Sequence, residues 1–309
     1  MIFIYRTVDD RLICPDTIEK DCWINLVHPT EAELRQVSEA TGLDYDFLKY
    51  PLDDEEIPRV EVDEDQCMII IHVPIITDDD IIYDTIPLGI VTNDDYIITV
   101  CLEDLNLMEE FTKSRIKGIA TFKKTRFIFH TLNRKTNVFL KYLRDINRRT
   151  EKIENELSHT MKNKDLLSLL SLQKSLVYFS TSLHYNAKVM NRLSRGKLIK
   201  MYEEDEDLLE DVIIENTQAI EMTEIYRNIT QSTMDAFSSL ISNNLSLTMK
   251  LLTSITIILA IPTMISGFFG MNVSLPFTEM GMGGFFLVLG ICLLVCIASI
   301  FLLKRKDMF

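Results

Sequence analysis

The chain has 309 residues, with 46 acidic side chains against 32 basic ones, a formal net charge of −14 and a sequence pI near 4.9. That balance excludes a nucleic-acid backbone as the main partner and favours cations. The length suits a soluble body of about 200 to 250 residues with a small membrane domain added.

The acids are bunched, at Asp53-Asp54-Glu55-Glu56, Asp63-Glu64-Asp65, Asp78-Asp79-Asp80 and Glu203-Glu204-Asp205-Glu206-Asp207. Any one bunch reads as a solvated loop. Six cysteines contain no C-x-x-C pair, and the five histidines have no ligand spacing. Cys292 and Cys296, one helical turn apart in an apolar run, read as small packing residues. No Ser/His/Asp arrangement, paired-His site or phosphate loop is visible, so no enzyme and no organic cofactor are expected. The start, MIFIYRTVDD, lacks the basic and apolar regions of a signal peptide.

Residues 1–120 read as an α/β cytosolic domain, within an α+β fold class. Strands are expected at Ile2–Arg6 and Cys22–Val27. Thr30 and Glu33 fit a capping box for a helix that stops at Thr41-Gly42. Four stretches rich in Ile, Val and Tyr follow, Arg59–Val62, Gln66–Ile76, Ile81–Val91 and Tyr96–Cys101, as a meandering sheet would have. Residues 121–204 become helical, with leucines three and four apart, and predict two long antiparallel helices breaking near Asn163-Lys164-Asp165. A third helix, 205–270, meets no Gly or Pro before Pro262 and is on the order of 95 Å long if unbroken.

Two apolar runs close the chain, 251–269 and 285–303, each about 19 residues and long enough to cross a bilayer core. Neither contains a charged side chain or a histidine. Lys250 precedes the first, and the tail 304–309 opens with Lys304-Arg305-Lys306. The intervening loop, 271–284, carries Glu279 and no basic residue, which places both termini in the cytoplasm and the chain in the cell membrane. Ala236–Met249 is uncharged yet rich in Ser and Asn, as a wet interior shared by several helices would be. One face of the first span carries Ser246, Met249, Thr253, Thr256, Ala260, Thr263, Gly267 and Gly270, in alternating steps of three and four. Spacing leaves two readings of this seam open, a polar path or close helix packing.

Two spans cannot enclose a path, so a pore requires a ring of copies with cyclic symmetry. The first span would line it and the second would face lipid. Asn272, at the outer mouth, would contribute a ring of neutral amide oxygens, which suits a divalent cation that keeps its water, as Mg²⁺ does.

The Gly270-Met271-Asn272 tripeptide sits between two terminal spans, with Pro262-Thr263 before it and Pro276 and Glu279 after it. With the basic tail, it resembles the CorA family of magnesium transporters. The likeness is close from Asp205 to Phe309. Earlier it is one of layout, including Trp23-Ile24-Asn25 and Pro58-Arg59-Val60-Glu61. The resemblance implies a funnel-shaped homopentamer in the lipid bilayer, carrying divalent cations and binding no nucleic acid. It implies a selectivity filter at Gly270, Met271 and Asn272, with Met249, Leu252, Thr256, Ala260 and Thr263 on the pore. Ala260 is smaller than is usual there, which implies a looser constriction. Phe269 stands where Tyr is common.

The resemblance also implies closure by intracellular Mg²⁺ bound between acids of neighbouring protomers. Asp211 matches the stalk acid. The partner position falls at Tyr50, which is no carboxylate, with Asp53 and Asp54 the nearest substitutes. The leading expectation is a potential-driven Mg²⁺ influx channel. A Co²⁺, Ni²⁺ or Zn²⁺ transporter of the same build is one alternative, although Met271 favours the magnesium branch. A membrane-anchored sensor without transport is another.

Overall fold

A computed structural model describes residues 1–9, 11–77, 83–105, 120–157, 163–196, 198–271 and 281–306. The chain divides into two compact units, Met1–Met234 and Asp235–Phe309. The first is built on β1 (Ile2–Val8), β2 (Arg11–Ile13), β3 (Trp23–Val27), β4 (Arg59–Asp63), β5 (Gln66–Ile76), β6 (Tyr83–Thr92) and β7 (Ile97–Cys101). They form one sheet in the order β2-β1-β3-β7-β6-β5-β4. Strands β4 to β7 form the expected antiparallel meander, and β3 joins it parallel to β7.

Strand β5 shows how the layers arise. Its side chains alternate between faces. Cys67, Ile69, Ile71 and Val73 enter a core shared with long helices, while Met68 and Ile70 enter one shared with short helices. The short helices are α1 (Glu31–Thr41) and α2 (Tyr45–Lys49). The capping box is present at α1, with Thr30 Oγ1 accepting from the Glu33 N–H at 3.3 Å and Glu33 accepting from the Thr30 N–H at 2.7 Å. Gly42 ends that helix at φ 72°, a conformation in which a side chain would strain the backbone.

The long helices are α3 (Lys124–Leu157), α4 (Asn163–Gly196) and α5 (Glu203–Phe269). The described residues of α3 end at Leu157 and those of α4 begin at Asn163, beside the expected break. Asn163, Lys164 and Asp165 form the first turn of α4, where an acid near the N-terminus is favourable. The pairing of α3 with α4 is antiparallel. Thr125 Oγ1 donates to Lys200 O at 2.6 Å near one end, and Phe139 meets Phe179 with ring centroids 5.0 Å apart further along. Leu143, Leu172, Leu176 and Leu183 extend this core, with Ala219 of α5. Helix α5 is antiparallel to α4: Asn216 donates to Leu183 O at 3.1 Å, and Gln173 to Gln231 at 2.5 Å.

The second unit contains the C-terminal part of α5 and α6 (Met282–Arg305). On α6 the less exposed residues are Gly284, Val288, Cys292, Cys296, Ser299 and Leu303, a single helical stripe. On the span part of α5 they are Ser254, Ile258, Ile261, Pro262 and Ile265, again one stripe. Cys292 and Cys296 thus sit on the shielded side of their helix.

Candidate functional site

The expected pore residues all fall on α5 and all are exposed. Met249 and Leu252 are 53% and 58% accessible, and Thr256, Ala260 and Thr263 are open as well. The whole seam from Ser246 to Gly270 is exposed, on a different face from the Ser254–Ile265 stripe. Packing within one chain therefore does not account for it. Thr256 donates its hydroxyl hydrogen to Leu252 O at 2.8 Å, and Thr263 donates to Leu259 O at 2.9 Å. Each hydroxyl oxygen keeps its acceptor capacity. Pro262 lies inside the helix, so its missing N–H frees the carbonyl of Ile258.

The helix ends at the tripeptide. The Gly270 N–H donates to Ser266 O at 3.0 Å, and the Met271 N–H reaches back to Phe268 O at 3.2 Å, tightening the last turn. A Cβ added at Gly270 would meet Ser266 O at 3.3 Å, so a larger residue crowds that turn. Asn272 and Glu279 lie outside the described residues.

The acids expected to regulate are dispersed within one chain. Asp53 and Asp54 are exposed on the loop after a 3₁₀ turn, Tyr50–Leu52, where Asp53 accepts from the Glu55 N–H at 3.1 Å. Pro51 seats that loop against Gly89 of β6. Tyr50, standing where the resemblance implies an acid, is capped by the Arg59 guanidinium 4.9 Å from its ring centroid. Arg59 also pairs with Glu56 and Glu61. Asp211 is exposed on α5. Among the described residues, no three His, Cys, Asp or Glu side chains gather where they could hold a metal.

One acid escaped the sequence reading. Glu215, a helical turn beyond Asp211, accepts from Asn137 Nδ2 of α3 at 2.7 Å. Burial, and further the charge of Asp211, push its carboxyl above the ordinary value, while the Asn137 hydrogen bond opposes the shift. The four-residue spacing from Asp211 was the available signal.

Among the described residues, α5 and α6 are long and apolar enough to cross a membrane. The chain is 31% identical over 294 residues to the cobalt/magnesium transport protein CorA of Methanocaldococcus jannaschii, covering 92% of this chain and 90% of that one. The complete structure of the CorA magnesium transporter from that organism matches with TM-score 0.86 at 28% identity, covering 100% of this chain and 99% of its own. The ZntB cytoplasmic domain from Vibrio parahaemolyticus shares the fold, at TM-score 0.59 and 14% identity, over 78% of this chain and 98% of that one. The model for the CorA-like Mg2+ transporter protein family matches residues 19–305. With an α+β domain, long helices and two terminal apolar helices in one chain, and transporters rather than enzymes for relatives, this protein belongs to the CorA-like Mg²⁺ transporter family.

Proposed function

We propose that the chain forms a homopentameric channel for Mg²⁺ influx across the cell membrane, with both termini in the cytoplasm. The observation that carries this reading is the exposed seam of hydroxyl and small residues on α5, leading to Gly270-Met271 at the helix end. In a ring of copies the seam faces inward, and Asn272 sets a ring of amide oxygens at the outer mouth. Such oxygens hold a hydrated divalent ion through its waters, without stripping them. The driving force is an inside-negative potential, worth about 4.6 kcal/mol per 100 mV for a divalent ion. Mg²⁺ is transported ion and regulator alike: bound between protomers near Asp211, Asp53 and Asp54, it holds the ring closed. The cobalt in the relative's name supports Co²⁺ as a second cargo of the same path.

The test is Mg²⁺ uptake into proteoliposomes enclosing a fluorescent Mg²⁺ reporter, comparing wild type with Asn272→Ala. The expected result is uptake in the wild type and its loss in a variant that still assembles. Equal flux in both would remove the filter from Asn272. No divalent flux in either would leave a membrane-anchored sensor.

A further inference from the structure

Two neighbouring helices of the first unit carry opposite charge. From Leu166 to Tyr202 there is no Asp or Glu, in a chain that has 46 of them. From Glu203 to Tyr226 there is no Lys or Arg. The exposed side of α4 carries Lys174, Lys188, Arg192 and Arg195, and the exposed side of α5 carries Glu206, Asp207, Glu210, Glu221 and Glu224. Among the described residues, no ion pair joins the two sets. Each side also exposes large apolar groups. Val177 and Tyr178 on α4 are 45% and 40% accessible, and Ile225 and Ile229 on α5 are 55% and 39%.

The order of these groups along the helices matters more than their number. Because α4 and α5 are antiparallel, each residue of α4 has a level on α5. Leu183 is level with Asn216, and Gln173 with Gln231. Nine residues on from Leu183 stands Arg192, and on α5 Glu206 and Asp207 stand about nine back from Asn216, with Glu210 one turn nearer to it. Counted from the first mark Val177 falls level with Met222, and from the second with Arg227, so Ile225 lies between them, with Glu221 and Glu224 beside it. Cations near one end of α4 thus share levels with acids of α5.

Copies anchored in one bilayer point the same way, and rotation about a ring axis leaves height unchanged. For helices running along that axis, α4 of one copy meets α5 of the next at the levels just given. We infer that the cationic face of α4 docks on the acidic face of α5 in the adjacent copy, with Arg192 and Arg195 against Glu206 and Glu210, and Val177 against Ile225. This rests on the ring of copies proposed above. Opposite charges across the contact select the partner.

The test uses the full-length protein in membranes, in a Cys14→Ser background that removes the exposed native thiol. One chain carries Arg192→Cys and a differently tagged chain carries Glu210→Cys. The two are co-expressed and treated with a short bifunctional thiol reagent. Only contact between copies yields a product bearing both tags. The expected result is that product from Arg192→Cys with Glu210→Cys, and from Val177→Cys with Ile225→Cys. Arg192→Cys with Ile225→Cys, about 24 Å out of level, is expected to give at least about tenfold less. Oligomer size is measured on the same samples. An intact oligomer without the matched products, or with equal yield from the mismatched pair, overturns this interface and assigns the face to another partner. A monomeric wild type overturns the ring itself. Arg192→Glu with Arg195→Glu is expected to weaken the oligomer, and adding Glu206→Arg with Glu210→Arg to restore it. Absence of that rescue in folded protein counts against the pairing.

Discussion

Gly89 has no room for a methyl group. A Cβ built there would lie 2.1 Å from Pro51 Cγ, and both residues belong to the packed interior of the first unit. The contact seats the turn that carries Asp53 and Asp54. Gly89→Ala is expected to destabilise the protein by about 1–3 kcal/mol through overpacking, read as a lower urea midpoint. An unchanged midpoint would mean that Pro51 moves aside freely. Sequence could not reveal this glycine, because β6 reads as a strand with or without it, and its partner lies far away in the chain. By contrast, Thr30, Glu33 and Gly42 act on their immediate neighbours, so their roles were legible. Asp211 was legible through resemblance, while Glu215 beside it needed Asn137 from another helix to become visible.

His72 ties three elements together. Its Nε2 donates to Glu56 O at 2.9 Å, its Nδ1 shares a hydrogen bond with Ser182 Oγ at 2.9 Å, and its backbone exchanges hydrogen bonds with the Asn186 amide of α4. Burial holds the imidazole below its ordinary pKa, with the Glu56 carbonyl and Asp84 opposing. His130 is lowered by burial too, and by Arg126 and Arg134. The unfolded imidazole, near pH 6.5, therefore takes a proton before the folded one does. Their contribution to stability is present above about pH 6.5 and is lost as pH falls through the depressed folded values. Urea midpoints measured between about pH 7.5 and 5.5 are expected to fall for wild type, and less steeply for His72→Gln. Parallel slopes would show that His72 carries no part of the dependence. At this scale the apolar periodicity of strands and long helices was readable. The parallel pairing of β3 with β7 was not, since nothing local in Trp23–Val27 names its neighbour. The short elements β2 and α2 carry too few residues to show a period.

Among the described residues, Asp53, Asp54 and Asp211 gather in no three-ligand cluster within one chain, and in the proposed ring a divalent ion held between copies would bring them together. Replacing all three by Asn is expected to raise the internal Mg²⁺ concentration needed to halve uptake by at least about fivefold, read in the proteoliposome assay. An unchanged dependence would remove these positions from regulation. The span pattern was legible because about twenty uncharged apolar residues in a row have few other uses. The faces of the spans were less so, because small and hydroxyl residues serve a water path and close packing equally well. The exposure of every seam residue from Ser246 to Gly270 excludes packing within one chain and leaves a water path or packing between copies.

The threonines of the first span and its approach have a further consequence. Thr248, Thr256 and Thr263 each spend their only hydroxyl hydrogen on a carbonyl of their own helix. Facing outward, those three oxygens have lone pairs to give and no proton. Chloride needs donors to replace its hydration and gains none from them, whereas a metal aquo-ion brings its own. If the seam lines the proposed pore, Thr256 and Thr263 there would favour a metal aquo-ion over chloride without carrying charge.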